Sequence, residues 1–144
     1  MAMTLLRSAM SDAGEICKLV GKALEADRFE LEEFNVLSTL PGIERYAEAH
    51  PNALLPKGKA LQVLLHRAVS EVATAYAEDS DKTLRKIAAY VRLRYEDKRS
   101  VKDIAEEWGL DRTVVSRQYS RRSLQVVSHR FLQLAEHMHW DKAS

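Results

Sequence analysis

Val101-Lys102-Asp103-Ile104-Ala105-Glu106-Glu107-Trp108-Gly109-Leu110-Asp111-Arg112-Thr113-Val114-Val115-Ser116-Arg117 is the stretch whose residue types decide the fold. Two helices that cross steeply need a small residue where they touch, and Ala105 stands there. The first helix must end in a left-handed turn that glycine accepts most cheaply, and Gly109 follows four residues later. Ile104, Trp108, Leu110 and Val115 supply a shared apolar core, while Ser100 and Asp111 are placed to cap the two helices. The pattern spells a helix-turn-helix. One place departs from it: the apolar residue that should return after Val115 is Gln118, with Tyr119 beside it.

If the second helix enters a DNA major groove, its first, outward-facing residues meet base edges. These are Arg112, Thr113, Ser116, Arg117 and Ser120. The planar guanidinium of Arg112 or Arg117 matches the two acceptors of guanine, a pairing that discriminates by about 1 to 3 kcal/mol. Lys98, Arg99, Lys102, Arg121 and Arg122 surround them as phosphate neutralisers, which fix register without reading sequence. Ser100, as the first N-cap, leaves backbone N–H groups for a phosphate. From Arg112 to Ala135 the chain holds five arginines and no acidic residue. A merely solvated helix face would intersperse glutamates for stabilising pairs.

Outward from this stretch the pattern stays helical. Leu84, Ile87, Ala88, Val91 and Tyr95 recur at helical spacing behind the cap candidates Asp79, Ser80 and Asp81. Leu61, Leu64, Leu65, Ala68, Val69, Val72, Ala75 and Tyr76 outline a long helix from about Lys59 to Ala77. The densest cluster of turn residues, His50 to Gly58, reads as a linker. Before it, Phe29 to Leu40 carries Phe34, Leu37 and Leu40 on one side, with Pro41 and Gly42 as stop signals. Ile16, Leu19, Val20, Ala23 and Leu24 define an amphipathic first helix, with Asp12 as its cap and Glu15 three residues on. No sustained alternation suggests a strand. The expected architecture is all-α: a helical N-terminal part, residues 1–58, for assembly or partner binding, then residues 59–144 with the long helix, a trihelical helix-turn-helix and an extended C-terminal helix.

The 144 residues are 46% hydrophobic and 30% charged, a composition that buries a core without disulfides or metal. No apolar run approaches the roughly 20 residues of a membrane helix, and Met1 to Met10 does not resemble a secretory leader. A cytoplasmic, nucleoid-associated protein is expected, with no membrane partner. Residues 1–80 hold 8 Lys/Arg against 12 Asp/Glu, whereas residues 81–144 hold 14 against 9. Such asymmetry marks the C-terminal half as the nucleic-acid-facing one. Cys17 lies among Ile16, Leu19 and Val20 and reads as a small hydrophobe.

The residues Leu93-Arg94-Tyr95, Ser100, Asp103-Ile104-Ala105-Glu106, Leu110, Val115, Arg117 and Arg121 resemble region four of bacterial sigma factors. The resemblance covers about 40 of the 144 residues; Arg122 stands where that family commonly has a small residue. It implies a trihelical helix-turn-helix that binds promoter DNA and touches RNA polymerase. The aromatic and basic helix with which a complete sigma factor melts DNA is not found upstream. A sigma-like bacterial or phage transcriptional regulator is therefore the expected function.

Leu124, Val127, Phe131, Leu134 and Met138 repeat at alternating three and four residues, the spacing of a coiled-coil seam. The seam either pairs with its copy in a homodimer or covers the Lys59 to Ala77 helix of the same chain. His137, His139 and Trp140 lack further ligands at metal spacing. His50, His66 and His129 are scattered, with no nucleophile signature or phosphate-binding loop. No enzyme activity, cofactor or metal is expected. The competing readings are an RNA polymerase-binding or adaptor module with little intrinsic DNA affinity, and a helix-turn-helix subunit of a DNA-processing enzyme.

Overall fold

A computed structural model describes residues 13–137, and among these every regular element is a helix. Asp12, Met138, His139 and Trp140 lie outside the described residues. The chain divides into two compact units, one containing residues 13–66 and 128–137, the other residues 67–127. One boundary falls at 66/67, inside a long helix and past the turn cluster at 50–58, and the end of the C-terminal helix groups with the first unit.

In the first unit, α1 (Ala13–Glu25) buries Ile16, Val20 and Ala23 at helical spacing. Cys17 is half-buried and free. Asp27 then opens α2 (Arg28–Glu32) with a capping box: its carboxylate accepts the Glu30 N–H at 2.9 Å, and the Glu30 carboxylate accepts the Asp27 N–H at 3.4 Å. The stretch from Phe29 to Leu40 forms short helices, as its pattern suggests, separated at Phe34, which is non-helical at φ −76°, ψ 86°. A short α3 (Asn35–Ser38) follows, with Leu37 and Leu40 fully buried.

Pro41 and Gly42 do not stop a helix; they start one. Leu40 is extended, as a residue before proline prefers, and Pro41 occupies the first turn of α4 (Pro41–Ala49). Pro56 opens α5 (Pro56–Ala75) in the same position, so the linker read at 50–58 ends three residues early and Gly58 lies inside a helix. Gly58 is there for space: an added Cβ would sit 2.4 Å from the Arg28 carbonyl oxygen. Its N–H donates to the Glu32 carboxylate at 2.6 Å, and the Arg28 guanidinium donates to the Gln62 side chain at 2.8 Å. These bonds hold α2 against the first turns of α5.

In the second unit, the later turns of α5 bury Val69, Val72 and Ala73. Asp81 caps α6 (Lys82–Val91), accepting the Thr83 N–H at 2.8 Å. The helix buries Ile87, Ala88, Tyr90 and Val91, then widens into a π turn over Arg92–Glu96, where the Asp97 N–H reaches back to the Arg92 carbonyl at 2.9 Å. Lys98 reverses the chain in the left-handed region at φ 57°. Ser100 caps α7 (Val101–Trp108) by accepting the Asp103 N–H at 3.1 Å. Asp111 caps α8 (Arg112–Val115) by accepting the Thr113 N–H at 3.0 Å. Each such cap contributes about 1 kcal/mol. A second π turn, Ser116–Ser120, joins α8 to α9 (Arg121–His137) with right-handed helical dihedrals at both junctions.

The seam of α9 is consumed inside the single chain. Val127 and Phe131 are fully buried, Leu134 is nearly so, and Leu124 is half-buried. Within the first unit, the end of α9 lies on α4: Gly42 approaches Ala135 so closely that a Cβ would meet its carbonyl oxygen at 2.5 Å, and Arg45 donates to the Glu136 carbonyl at 3.1 Å. Val127, Phe131 and Leu134 are therefore core residues of the monomer and offer no surface to a second copy.

Candidate nucleic-acid interface

Three residues, Gly109-Leu110-Asp111, separate α7 from α8. Gly109 adopts φ 66°, ψ 33°, and its N–H donates to the Glu106 carbonyl while the Leu110 N–H donates to Ala105 at 2.9 Å. This double closure satisfies the last carbonyls of α7 and turns the chain sharply. Ile104, Ala105, Val115 and Tyr90 form a buried cluster, with Leu93, Val101, Trp108 and Tyr119 packed around it. Burial of Ile104 and Val115 alone is worth about 1.5 to 3 kcal/mol each, so the orientation of α8 is set by side chains behind it.

Leu110 departs from expectation: it is exposed and takes no part in this core. The core position that the pattern left to Gln118 is taken by Tyr119, which packs against the cluster. Tyr119 meets Trp108 edge-on, ring centres 5.4 Å apart, and Trp108 meets Tyr90 edge-on at 6.4 Å. The Lys86 ammonium sits 4.1 Å over the Trp108 ring, a contact the sequence pattern did not reveal because the two residues are 22 apart. Offset and edge-on aromatic pairs add about 0.5 to 1.5 kcal/mol beyond area burial.

With this side of the helix spent on packing, Arg112, Thr113, Ser116, Arg117 and Gln118 are exposed. Arg112 and Ser116, like Thr113 and Arg117, are neighbours four apart on the helix surface. Ser120 is half-buried and falls off this exposed row. Of the residues read as phosphate contacts, Lys98, Ser100, Lys102, Arg121 and Arg122 are exposed. Arg99 is not free for that role: its guanidinium donates to the Glu107 carboxylate at 2.6 Å, tying the loop before α7 to that helix's far end. The Ser100 hydroxyl is likewise spent on its cap, and Asp103 in the same first turn places negative charge beside it.

Charge is partitioned between the two helices. Exposed Asp103, Glu106 and Glu107 outnumber Lys102 on α7, whereas no acidic side chain occurs from 112 to 135. Cationic donors thus concentrate at and beyond the start of α8. Among the described residues no group of three or more His, Cys, Asp and Glu side chains is arranged to hold a metal ion, and no helix is long and apolar enough to cross a membrane. No family model, curated protein or solved structure matches the chain.

Proposed function

We propose that the chain binds duplex DNA through a helix-turn-helix made of α7, the Gly109 turn and α8, and that it acts as a sigma-like transcriptional regulator. The observation that carries this reading is the exposed row Arg112, Thr113, Ser116 and Arg117, which runs along α8 and into the π turn that continues it. The row stands opposite the buried Val115, and beyond the capping Asp111 no acidic residue follows it up to Ala135. A helix presented this way offers fork-shaped and hydroxyl donors to base edges, with Lys98, Lys102 and Arg122 against phosphates. The acidic side chains of α7 keep that helix from lying along the backbone over its whole length, so the contact is concentrated on α8.

Selection of bound duplexes from a random library tests the proposal, followed by titration of the winner at two salt concentrations. An enriched motif whose affinity falls steeply with salt is the expected outcome, since each neutralised phosphate releases counterions. No enrichment together with salt-insensitive binding would overturn it and favour the RNA polymerase-binding or adaptor role.

A further inference from the structure

The π turn at Ser116–Ser120 changes which residue lies two turns beyond Thr113. Seven residues make two turns of an uninterrupted α-helix. Counting from the buried Val115, such a helix would bring Arg122 back to the inner side. Instead Arg122 is exposed, while Ser123, one residue later, is fully buried. One turn earlier, Tyr119 packs on the core and Gln118 is exposed, so the inner line passes through the fourth residue from Val115. The cause of the one-residue shift at Ser123 is in the backbone: the Arg121 N–H donates to the Ser116 carbonyl, closing a ring one residue longer than that of an α-helix. The inner line therefore runs Val115, Tyr119, Ser123, without the drift of roughly 40° that an α-helix gives every four residues.

The outer line shifts equally. Two uninterrupted turns from Thr113 would place Ser120 on the exposed row; with one residue inserted, Arg121 stands there, below Arg117, and Ser120 moves to a half-buried flank. We infer that Arg121 is a sequence-reading residue, its guanidinium directed to a guanine edge next to the base pair met by Arg117, and that Ser120 reads nothing. Arg122 takes over the phosphate contact. The inference rests on the DNA-binding reading proposed above, and it extends the reading surface by one base step towards α9.

The test repeats the random-duplex selection with the full-length chain and with Arg121→Lys, Arg121→Ala, Arg122→Ala and Ser120→Ala, each checked for unchanged helical circular dichroism. Arg121→Lys keeps the charge and loses the fork, so a base contact is lost while a phosphate contact would survive. Both Arg121 variants should lose at least about fivefold preference for guanine at one edge position of the motif. Arg122→Ala should weaken all sequences alike and lower the salt slope by about one phosphate, and Ser120→Ala should leave the motif unchanged. A motif that Arg121→Lys leaves intact, or that Ser120→Ala alters, overturns this inference and leaves the DNA-binding reading standing. An unaltered chain that enriches no motif overturns both.

Discussion

Glycine has opposite uses in the two units. At Gly42 and Gly58, in the first unit, an ordinary helical backbone is pressed so closely by other backbone atoms, at 2.5 Å and 2.4 Å from an added Cβ, that no side chain fits. Gly109 in the second unit has open space around it, with nothing within 4 Å of an added Cβ, but holds a left-handed φ of 66°. The first unit thus uses glycine for proximity between helices, the second for the direction of the chain. Their charge differs in the same sense. Residues 13–66 and 128–137 hold 7 Lys/Arg against 9 Asp/Glu, while residues 67–127 hold 13 against 10. In the first unit constraint is steric and internal; in the second it is conformational and serves to present a basic surface.

The largest expected effect breaks the steric side of this contrast. Gly42→Ala forces a methyl against the Ala135 carbonyl, which as backbone cannot rotate away, and should lower stability by about 3 kcal/mol in urea unfolding. A loss below half that would show that α4 and α9 separate easily, and the contrast would fail. Arg117→Ala probes the presenting surface. It should weaken specific DNA binding by about 1 to 3 kcal/mol and relax one base preference, with the urea midpoint unmoved, whereas Lys102→Ala should weaken cognate and random duplexes alike. Equal losses on both kinds of DNA for both variants would remove α8 from the role of reader.

Gly109→Ala sharpens the conformational side. With no clash to relieve, its cost is that of a left-handed alanine, about 1 kcal/mol, and Gly109→Asn should recover part of it. Thermal unfolding of the two variants beside Gly42→Ala gives the ranking directly, and equal losses at positions 42 and 109 would erase the distinction. The smallest effect has the opposite sign. The Tyr90 hydroxyl is buried in the second unit without a hydrogen-bond partner. Tyr90→Phe should raise stability by up to about 1 kcal/mol, because an unsatisfied buried donor is removed with little change of shape. A decrease in the unfolding midpoint would mean that the hydroxyl has a partner in solution.

The same contrast explains how much was legible beforehand. Ser100, Gly109 and Asp111 were readable, and the cap of α6 was narrowed to Asp79, Ser80 or Asp81, because each acts within a few residues of itself. A cap accepts an N–H two or three positions on, and a left-handed glycine closes the helix that precedes it. Proline carried an ambiguous signal: the residue before it is barred from the helix, but its own fixed φ suits a first turn, and Pro41 and Pro56 both take the second option. The local pattern around them was the same for a stop and a start.

By itself, then, the amino-acid order determined that the described chain is helical, where the caps of α7 and α8 fall, and that the cationic donors gather from Arg112 onward. Tertiary structure decided the rest. Gly42 against Ala135, Gly58 against Arg28, and Lys86 over Trp108 join residues far apart in sequence, which no local periodicity encodes. The register beyond Val115 belongs to the same class. An α turn and a π turn differ by one residue in a hydrogen-bonded ring, and the burial of Ser123 in place of Arg122 goes with the π turn over Ser116–Ser120. Local propensity cannot distinguish the two, whereas packing can, because a one-residue shift moves Arg122 out of the core and Ser123 into it.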